Sequence, residues 1–494
     1  MKLKGVVLVL RWVSIGLIFL AVLITGIQLV NYSRIRANFP FGMVIAGVPV
    51  GGLNQQDAAE RLVEAYGVPV ELRYGTAVIQ IKPNTVGFEM DLEGMMAAAD
   101  LQRINQPFWT AFWDYLWNRL PAPQEVPLRA TISQDRLRSY LKDEIALRYD
   151  QPPIASMPVP GSTNFSVGSP GTTLDVERAV TLISDALQSP SSRIVNLTFG
   201  QTTAPRPSMQ NLQILIQQII DINKFDGLGE IYVLDLQTGQ DMDFAYQQGK
   251  NPPPVIAFTA ASTIKIAIMT ATMRRVKEPL IDDVATQMGL MIERSDNVSA
   301  DHLMQTYIDP TVGPLNVSAD MQALGLQNTF MAGFFYPGAP LLKHFATPAN
   351  SRTDELTQPD PYNQTTPSEI GQLLADIYQC AQNGGGTFAA VFPGQISQSK
   401  CRSMITFLAG DKNGMLIQAG LPDGTEFAHK HGWVTEGDGL IHHISDAGII
   451  YSPGGNYVMT IYLYHPVQIL FDQVNEMVAQ ISTAVYNYFN MPTK

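Results

Sequence analysis

Cysteine is almost absent: the 494 residues hold only Cys380 and Cys401. Neither a multi-disulfide scaffold nor a cysteine-rich metal site is therefore available. Charge is scarce too, at 15% of residues, against about 25% in ordinary soluble domains, which excludes a charge-rich disordered chain. With 39 glycines and 33 prolines, collagen-like and low-complexity readings fail as well. Acid is missing before Asp57, where Lys2, Lys4, Arg11, Arg34 and Arg36 are the only charges. The net charge is −12, so the chain beyond these five basic residues is more acidic still, which argues against nucleic acid as a partner. What is present is apolar material, 46% of residues with a mean hydropathy of +0.03. That suffices for several packed cores, about three domains by length.

From Trp12 to Val30 no residue is charged. As a helix this run spans about 28 Å, close to the ~30 Å hydrocarbon core of a bilayer. Basic residues precede it, which favours a cytoplasmic N-terminus and an extracytoplasmic remainder. An uncleaved single-pass anchor through residues 12–30 is the first reading, with a cleaved signal peptide or a buried core helix as alternatives. The run exceeds the ~7–15 residues of a signal h-region, and Asn31-Tyr32-Ser33-Arg34 offers no small-residue cleavage site. No other segment is long and apolar enough to span.

Composition and punctuation then divide the chain into a tail and anchor at 1–36, a smaller domain at 37–200, a linker at 201–208 (QTTAPRPS) and a larger domain at 209–494. In the smaller domain, Asn54 followed by Asp57 opens a helix in the manner of a capping box, and VPVELRYG and TAVIQIKP read as strands. Phe108, Trp109, Phe112, Trp113, Tyr115 and Trp117 are spaced to line one side of a helix, normally a core face. The larger domain starts with a helix (MQNLQILIQQIIDI) and a strand (EIYVLDL), continues as a helical region from Ala261 to about Gln382, and ends with three strands and a closing helix. This order fits an α+β fold: an antiparallel sheet assembled from both chain ends, flanked by terminal helices and carrying a helical insert.

Three short stretches carry chemistry. In Ala261-Ser262-Thr263-Ile264-Lys265 the serine and lysine share a helix face. A desolvated lysine there can take the proton of the serine hydroxyl, although an N-cap serine with a solvated lysine has the same pattern. Ser295-Asp296-Asn297 supplies a hydroxyl able to relay a proton and an amide able to hold a substrate amide. Lys430-His431-Gly432 sits on a strand, where a lysine can anchor a carboxylate and a glycine admits close backbone approach.

Taken together and in this order, the three stretches resemble the active-site serine penicillin-recognising enzymes, specifically class A β-lactamases. DLQTGQ, TTPSEIGQLLADIY and DAGIIYSPGGNYVMTIYLY extend the likeness over residues 209–494. The resemblance implies Ser262 as acylated nucleophile, Lys265 as its base, Ser295 in proton transfer, Asn297 on the substrate amide and Lys430 on a carboxylate. It places the oxyanion hole at the backbone N–H groups of Ser262 and of the residue after Gly432. It implies a β-lactam or a peptidoglycan stem peptide as substrate, with no cofactor.

The sequence departs from that family at two points. His431 stands where threonine or serine is usual. The Ω-loop glutamate, about seventeen residues before the proline of the TTP segment, falls here on Asn350. Asp354 and Glu355 are the nearest acids, and Glu355 is the candidate replacement as deacylation base. Residues near 40–200 (IAGVPVGGLNQQDAAERL, IQIKPNTVGFEMD, FSVGSPGTTLDVERAV) resemble the peptidoglycan-binding domains found beside VanW-type and L,D-transpeptidase domains, implying either cell-wall contact or a spacer. Cys380 and Cys401, outside the membrane in this topology, are expected to form a disulfide closing a loop of about 20 residues. His429, His431, His442 and His443 lack a carboxylate partner in the sequence, so no metal site is expected. Three functions stay open: a membrane-anchored β-lactamase-type hydrolase, a D,D-peptidase, and an inactive wall-binding protein.

Overall fold

In the computed structural model, residues 2–491 are described, with side chains from Val6 onward. The charges of Lys2 and Lys4 and the last three residues of the 209–494 range lie outside the described residues. The chain forms two compact units, 1–153 with 170–203, and 154–169 with 204–494. Residues 154–169, read from the sequence as part of the smaller domain, thus belong to the second unit, where Asn487 Nδ2 bonds the Thr163 carbonyl at 3.0 Å.

The first unit begins with helix α1 (Lys2–Ala37), whose apolar side chains from Val6 to Val30 are largely exposed. Its core lies around a small sheet in which Val70–Tyr74 pairs antiparallel with Ala77–Ile81 and parallel with Ile194–Asn196. Helix Gln55–Gly67 packs Ala58, Leu62 and Tyr66 inward. Asn54 caps it by accepting from the Asp57 amide at 2.9 Å, the arrangement its sequence encodes. Helix α2 (Phe108–Leu116) carries the aromatic residues, but not on one side as expected. Phe112 is buried, while Trp109, Trp113 and Trp117 are 68%, 61% and 60% exposed. Two rows at helical spacing interleave in this segment, and only one of them packs.

The second unit begins, after residues 154–169, with helix α3 (Met209–Ile222) and strands β1 (Leu228–Asp235) and β2 (Asp241–Tyr246). Helices α4 (Lys265–Arg275), α5 (Asn297–Leu303), α6 (Pro367–Asn383) and α7 (Gln398–Leu408) follow. Strands β3 (Glu426–Thr435), β4 (Ile441–Tyr451) and β5 (Tyr457–Tyr464) and helix α8 (Phe471–Phe489) end it. The antiparallel sheet runs β2-β1-β5-β4-β3, so strands from both chain ends meet at β1–β5. β5 is buried on both faces, and alternation explains how: Tyr457, Met459, Ile461 and Leu463 face the terminal helices α3 and α8, while Val458 and Tyr462 face the helical insert. Gly371 lets α6 lie on the sheet, since a Cβ there would meet the Tyr232 ring at 2.4 Å.

The insert is not helical throughout 261–382. Residues 324–366 contain no helix. They contribute Phe330–Met331 and Asn363–Thr365 to a second small sheet with Phe258–Thr259. Prolines and glycines crowd this stretch and interrupt any helical period. Cys380 on α6 and Cys401 on α7 form a disulfide, with Cα atoms 5.9 Å apart.

Candidate active site

Ser262 sits in a single 3₁₀ turn, Ala261–Ile264, feeding the start of α4. That helix is buried from Lys265 through Met273, so the lysine following the serine is carried into the interior. Thr263 fixes the turn: its hydroxyl donates to the Ala260 carbonyl at 2.6 Å and lies 2.7 Å from the Tyr462 hydroxyl on β5. Ala261 has φ of 49° and Ser295 φ of 55°. Both non-glycine residues thus occupy the left-handed region beside the reactive groups, a cost of order 1–3 kcal/mol each that the surroundings must hold.

The side chains converge closely. Lys265 Nζ donates to Ser262 Oγ at 3.2 Å, to Ser295 Oγ at 3.2 Å, to the Ser295 carbonyl at 2.6 Å and to Asn297 Oδ1 at 2.7 Å. Ser295 Oγ in turn donates to Ser262 Oγ at 2.8 Å. Ser295 and Asn297 arrive together because Asp296 caps α5, accepting from the Ser299 amide at 2.6 Å. Burial, then the nearby Lys430 charge, pushes the Lys265 ammonium down to about 7, with Asp296 and Asp301 opposing. A lysine so placed is half neutral near pH 7 and able to accept a proton.

β3 is the outer strand of the sheet and runs beside the Ser262 turn. A Cβ on Gly432 would stand 2.9 Å from the Ser262 amide nitrogen and 3.2 Å from the Ala260 carbonyl, so glycine is what permits this approach. Lys430 and His431 have a partner that the sequence reading missed. Lys430 is fully buried, its Nζ 3.0 Å from Asp411 Oδ2, and His431 Nδ1 is 2.8 Å from the same oxygen. Burial lowers the Lys430 ammonium while Asp411 pulls it back. For Asp411, burial is outweighed by His431 and Lys430, which hold the carboxyl below its usual range.

A carboxylate partner for the histidines thus exists, contrary to the reading that they have none. Ligand-type atoms of Asp411, His429 and His431 lie within 4.8 Å of one another. They are already engaged, however: His429 directs Nδ1 to Asp446 Oδ1 at 2.8 Å and Nε2 to the Asp411 carbonyl at 3.0 Å. With the Lys430 ammonium on Asp411 as well, the three side chains belong to one buried hydrogen-bonded network.

The non-helical stretch tells a different story. Asn350, where the family's glutamate falls, is tied into its own loop, with Nδ2 donating to Gln364 Oε1 at 2.9 Å and Oδ1 accepting from the Thr347 amide at 2.8 Å. Glu355 lies in the field of Arg352, whose guanidinium caps the Pro254 and Val255 carbonyls. Among the described residues no hydrogen bond or ion pair joins Glu355 to Ser262, Lys265 or Ser295.

Known proteins can be set beside this geometry. A variant of PBP-A, solved as an acyl-enzyme complex with penicillin G, is 21% identical, aligning with 58% of this chain and 98% of its own at a TM-score of 0.41. The ancestral class A β-lactamase of Gram-negative bacteria is 23% identical over 55% of this chain and 98% of its own, with a TM-score of 0.38. A β-lactamase from Xanthomonas campestris is 17% identical over 56% and 97%, with a TM-score of 0.40. No curated protein matches the chain. Residues 282–489 match the model of the β-lactamase enzyme family, a stretch that holds Ser295, Asn297, Lys430, His431 and Gly432 and begins after Ser262 and Lys265.

Proposed function

We propose that the second unit is a serine hydrolase of β-lactamase type, acting through an acyl-Ser262 intermediate. The observation that carries this reading is the contact of Ser262 Oγ with the Nζ of buried Lys265 and with Ser295 Oγ. In its neutral form Lys265 takes the Ser262 proton as the oxygen attacks an amide carbonyl. The oxyanion forms against the backbone N–H groups of Ser262 and Trp433. Ser295, bonded to both Ser262 and Lys265, passes the proton on to the leaving nitrogen, and Asn297, whose Oδ1 accepts from Lys265 Nζ, is the contact for the substrate amide. Buried Lys430 acts on an anionic substrate through its field, with His431 as the more exposed contact of that strand.

The substrate class is a β-lactam or a D-Ala-D-Ala-like wall peptide. What supports a D,D-peptidase over a fast β-lactamase is that Asn350 stands where the family's glutamate falls and is bonded within its own loop, and that no hydrogen bond among the described residues brings Glu355 to Ser262. In this reading α1 is an uncleaved anchor with a cytoplasmic N-terminus, the hydrolase is extracytoplasmic, and the core of residues 37–200 holds the cell wall or spaces the hydrolase from the membrane. A fluorescent penicillin tests the reading. Rapid turnover identifies a β-lactamase and a persistent adduct a penicillin-binding peptidase. No adduct removes the enzymatic reading and leaves the wall-binding one.

A further inference from the structure

Helix α2 is apolar nearly all round. Of Phe108–Leu116, only Thr110 and Asp114 are polar, and they lie one turn apart on a single line. A helix of this kind belongs inside a protein or against lipid. One apolar row is accounted for: Tyr32 of α1 packs its ring 5.4 Å from Phe108, 5.5 Å from Phe112 and 5.1 Å from Tyr115. The other row, Trp109, Trp113 and Trp117, has its rings mostly uncovered. Indole rings with an apolar body and one N–H donor gather where a membrane's apolar core meets water.

The place of α2 on α1 fixes the depth. At one end the Arg36 guanidinium lies over the Phe108 ring, 5.2 Å from its centre, and Arg36 Nη2 donates to the Gln106 carbonyl at 2.7 Å. At the other end Tyr115 Oη donates to Gln28 Oε1 at 3.2 Å. α2 therefore runs back along α1, from the level of Arg36 to that of Gln28. That interval is about 12 Å of helix rise. It starts within the last turn of the uncharged run, which ends at Val30, and passes the first basic residues beyond it, Arg34 and Arg36. A helix at this level of a spanning segment sits in the headgroup zone.

We propose that α2 is a membrane-interface helix, whose Trp109–Trp113–Trp117 row inserts among the headgroups and upper acyl chains of the extracytoplasmic leaflet. The inference rests on the reading of α1 as an uncleaved span. The helix that α2 packs on is itself clothed in exposed apolar side chains from Val6 to Val30, which names lipid as the occupant. The indole row and the Tyr32 cluster together hold α2 beside the span, fixing where the chain leaves the membrane.

The test uses the full chain in phospholipid vesicles, with Trp12 and Trp433 replaced (W12F, W433F) so that only the three α2 tryptophans emit. Vesicle flotation after alkaline carbonate washing reports on α1. Quenching by lipids brominated near the glycerol end or near the middle of the acyl chains reports on α2. The expected result is a chain that floats, with blue-shifted emission quenched most by the shallow bromines. A floating chain whose emission stays solvent-like and unquenched overturns the proposal while leaving the anchor in place, and so does quenching strongest at the deep bromines. A chain that fails to float overturns the anchor and this inference together.

Discussion

The two sides of Ser262 are built to different standards. On the α4–α5 side, Lys265, Ser295 and Asn297 close a hydrogen-bonded group around Ser262, with two backbone strains held beside it. On the side of residues 324–366, several polar groups bond one another: Asn350 with Gln364, Arg352 with Asp354 at 2.7 Å, and Asn363 Nδ2 with Asp360 at 3.1 Å. Forming an acyl-serine needs only the first side, whereas hydrolysing it also needs a water and a base from the second. Under the proposed function the first half-reaction has its groups in place, while among the described residues no hydrogen bond brings a carboxylate to Ser262 for the second.

The largest effect should come from removing the attacking atom. Ser262→Ala is expected to abolish covalent penicillin labelling while leaving the thermal unfolding midpoint close to that of the parent, because one half-buried hydroxyl is lost. Labelling that persists on another residue would refute the assignment. Lys265→Ala should slow acylation by on the order of 10²–10⁴, the usual worth of a positioned base, as read by stopped-flow labelling. An unchanged rate would mean that the lysine is structural only.

Turning to the second side, deacylation should be slower by on the order of 10²–10⁴ than in an enzyme with a positioned carboxylate. Mass spectrometry of the protein mixed with penicillin should show the adduct on Ser262 persisting for minutes, preceded by a burst equal to the enzyme present. Glu355→Gln should leave that lifetime unaltered if Glu355 stays out of contact with Ser262. Fast turnover that the same substitution abolishes would show that the loop rearranges to deliver Glu355, and the contrast between the two sides would disappear.

How much of this is legible in the sequence follows from the reach of each signal. The pairing of Ser262 with Lys265 is local, three residues along one helix start, and the strands of the sheet declare themselves by long apolar runs such as Tyr457–Tyr464. Asp411 is not legible. It sits in a short aperiodic segment after α7, and only folding brings its carboxylate beneath Lys430 and His431. The tryptophan row is partly legible: helical spacing identifies α2, but spacing alone does not tell which of two apolar rows is covered. Residues 154–169 mislead because they read like a continuation of the strands around them, while their partners lie in the second unit, more than three hundred residues onward in sequence at Asn487.

The smallest effect sharpens the electrostatic part of the comparison. Lys265 is held down to about 7 first by burial and second by the Lys430 charge. Below that pH its ammonium form predominates and cannot accept the Ser262 proton, so acylation should rise with pH through about 7 and level off above it. Removing the neighbouring cation with Lys430→Met favours protonated Lys265, which moves the midpoint upward and slows acylation at pH 7; a rise of one pH unit takes the neutral fraction from about one half to about one eleventh, a slowing of roughly fivefold. Well above the new midpoint, parent and variant should converge for a neutral acylating substrate, because the base is then deprotonated in both. The pH profile of the acylation rate constant separates this from simple damage to β3, which would lower the plateau and leave the midpoint where it was. A midpoint that moves downward would show that Lys430 and Asp411 act on Lys265 as a net negative pair, reversing the sign of the argument.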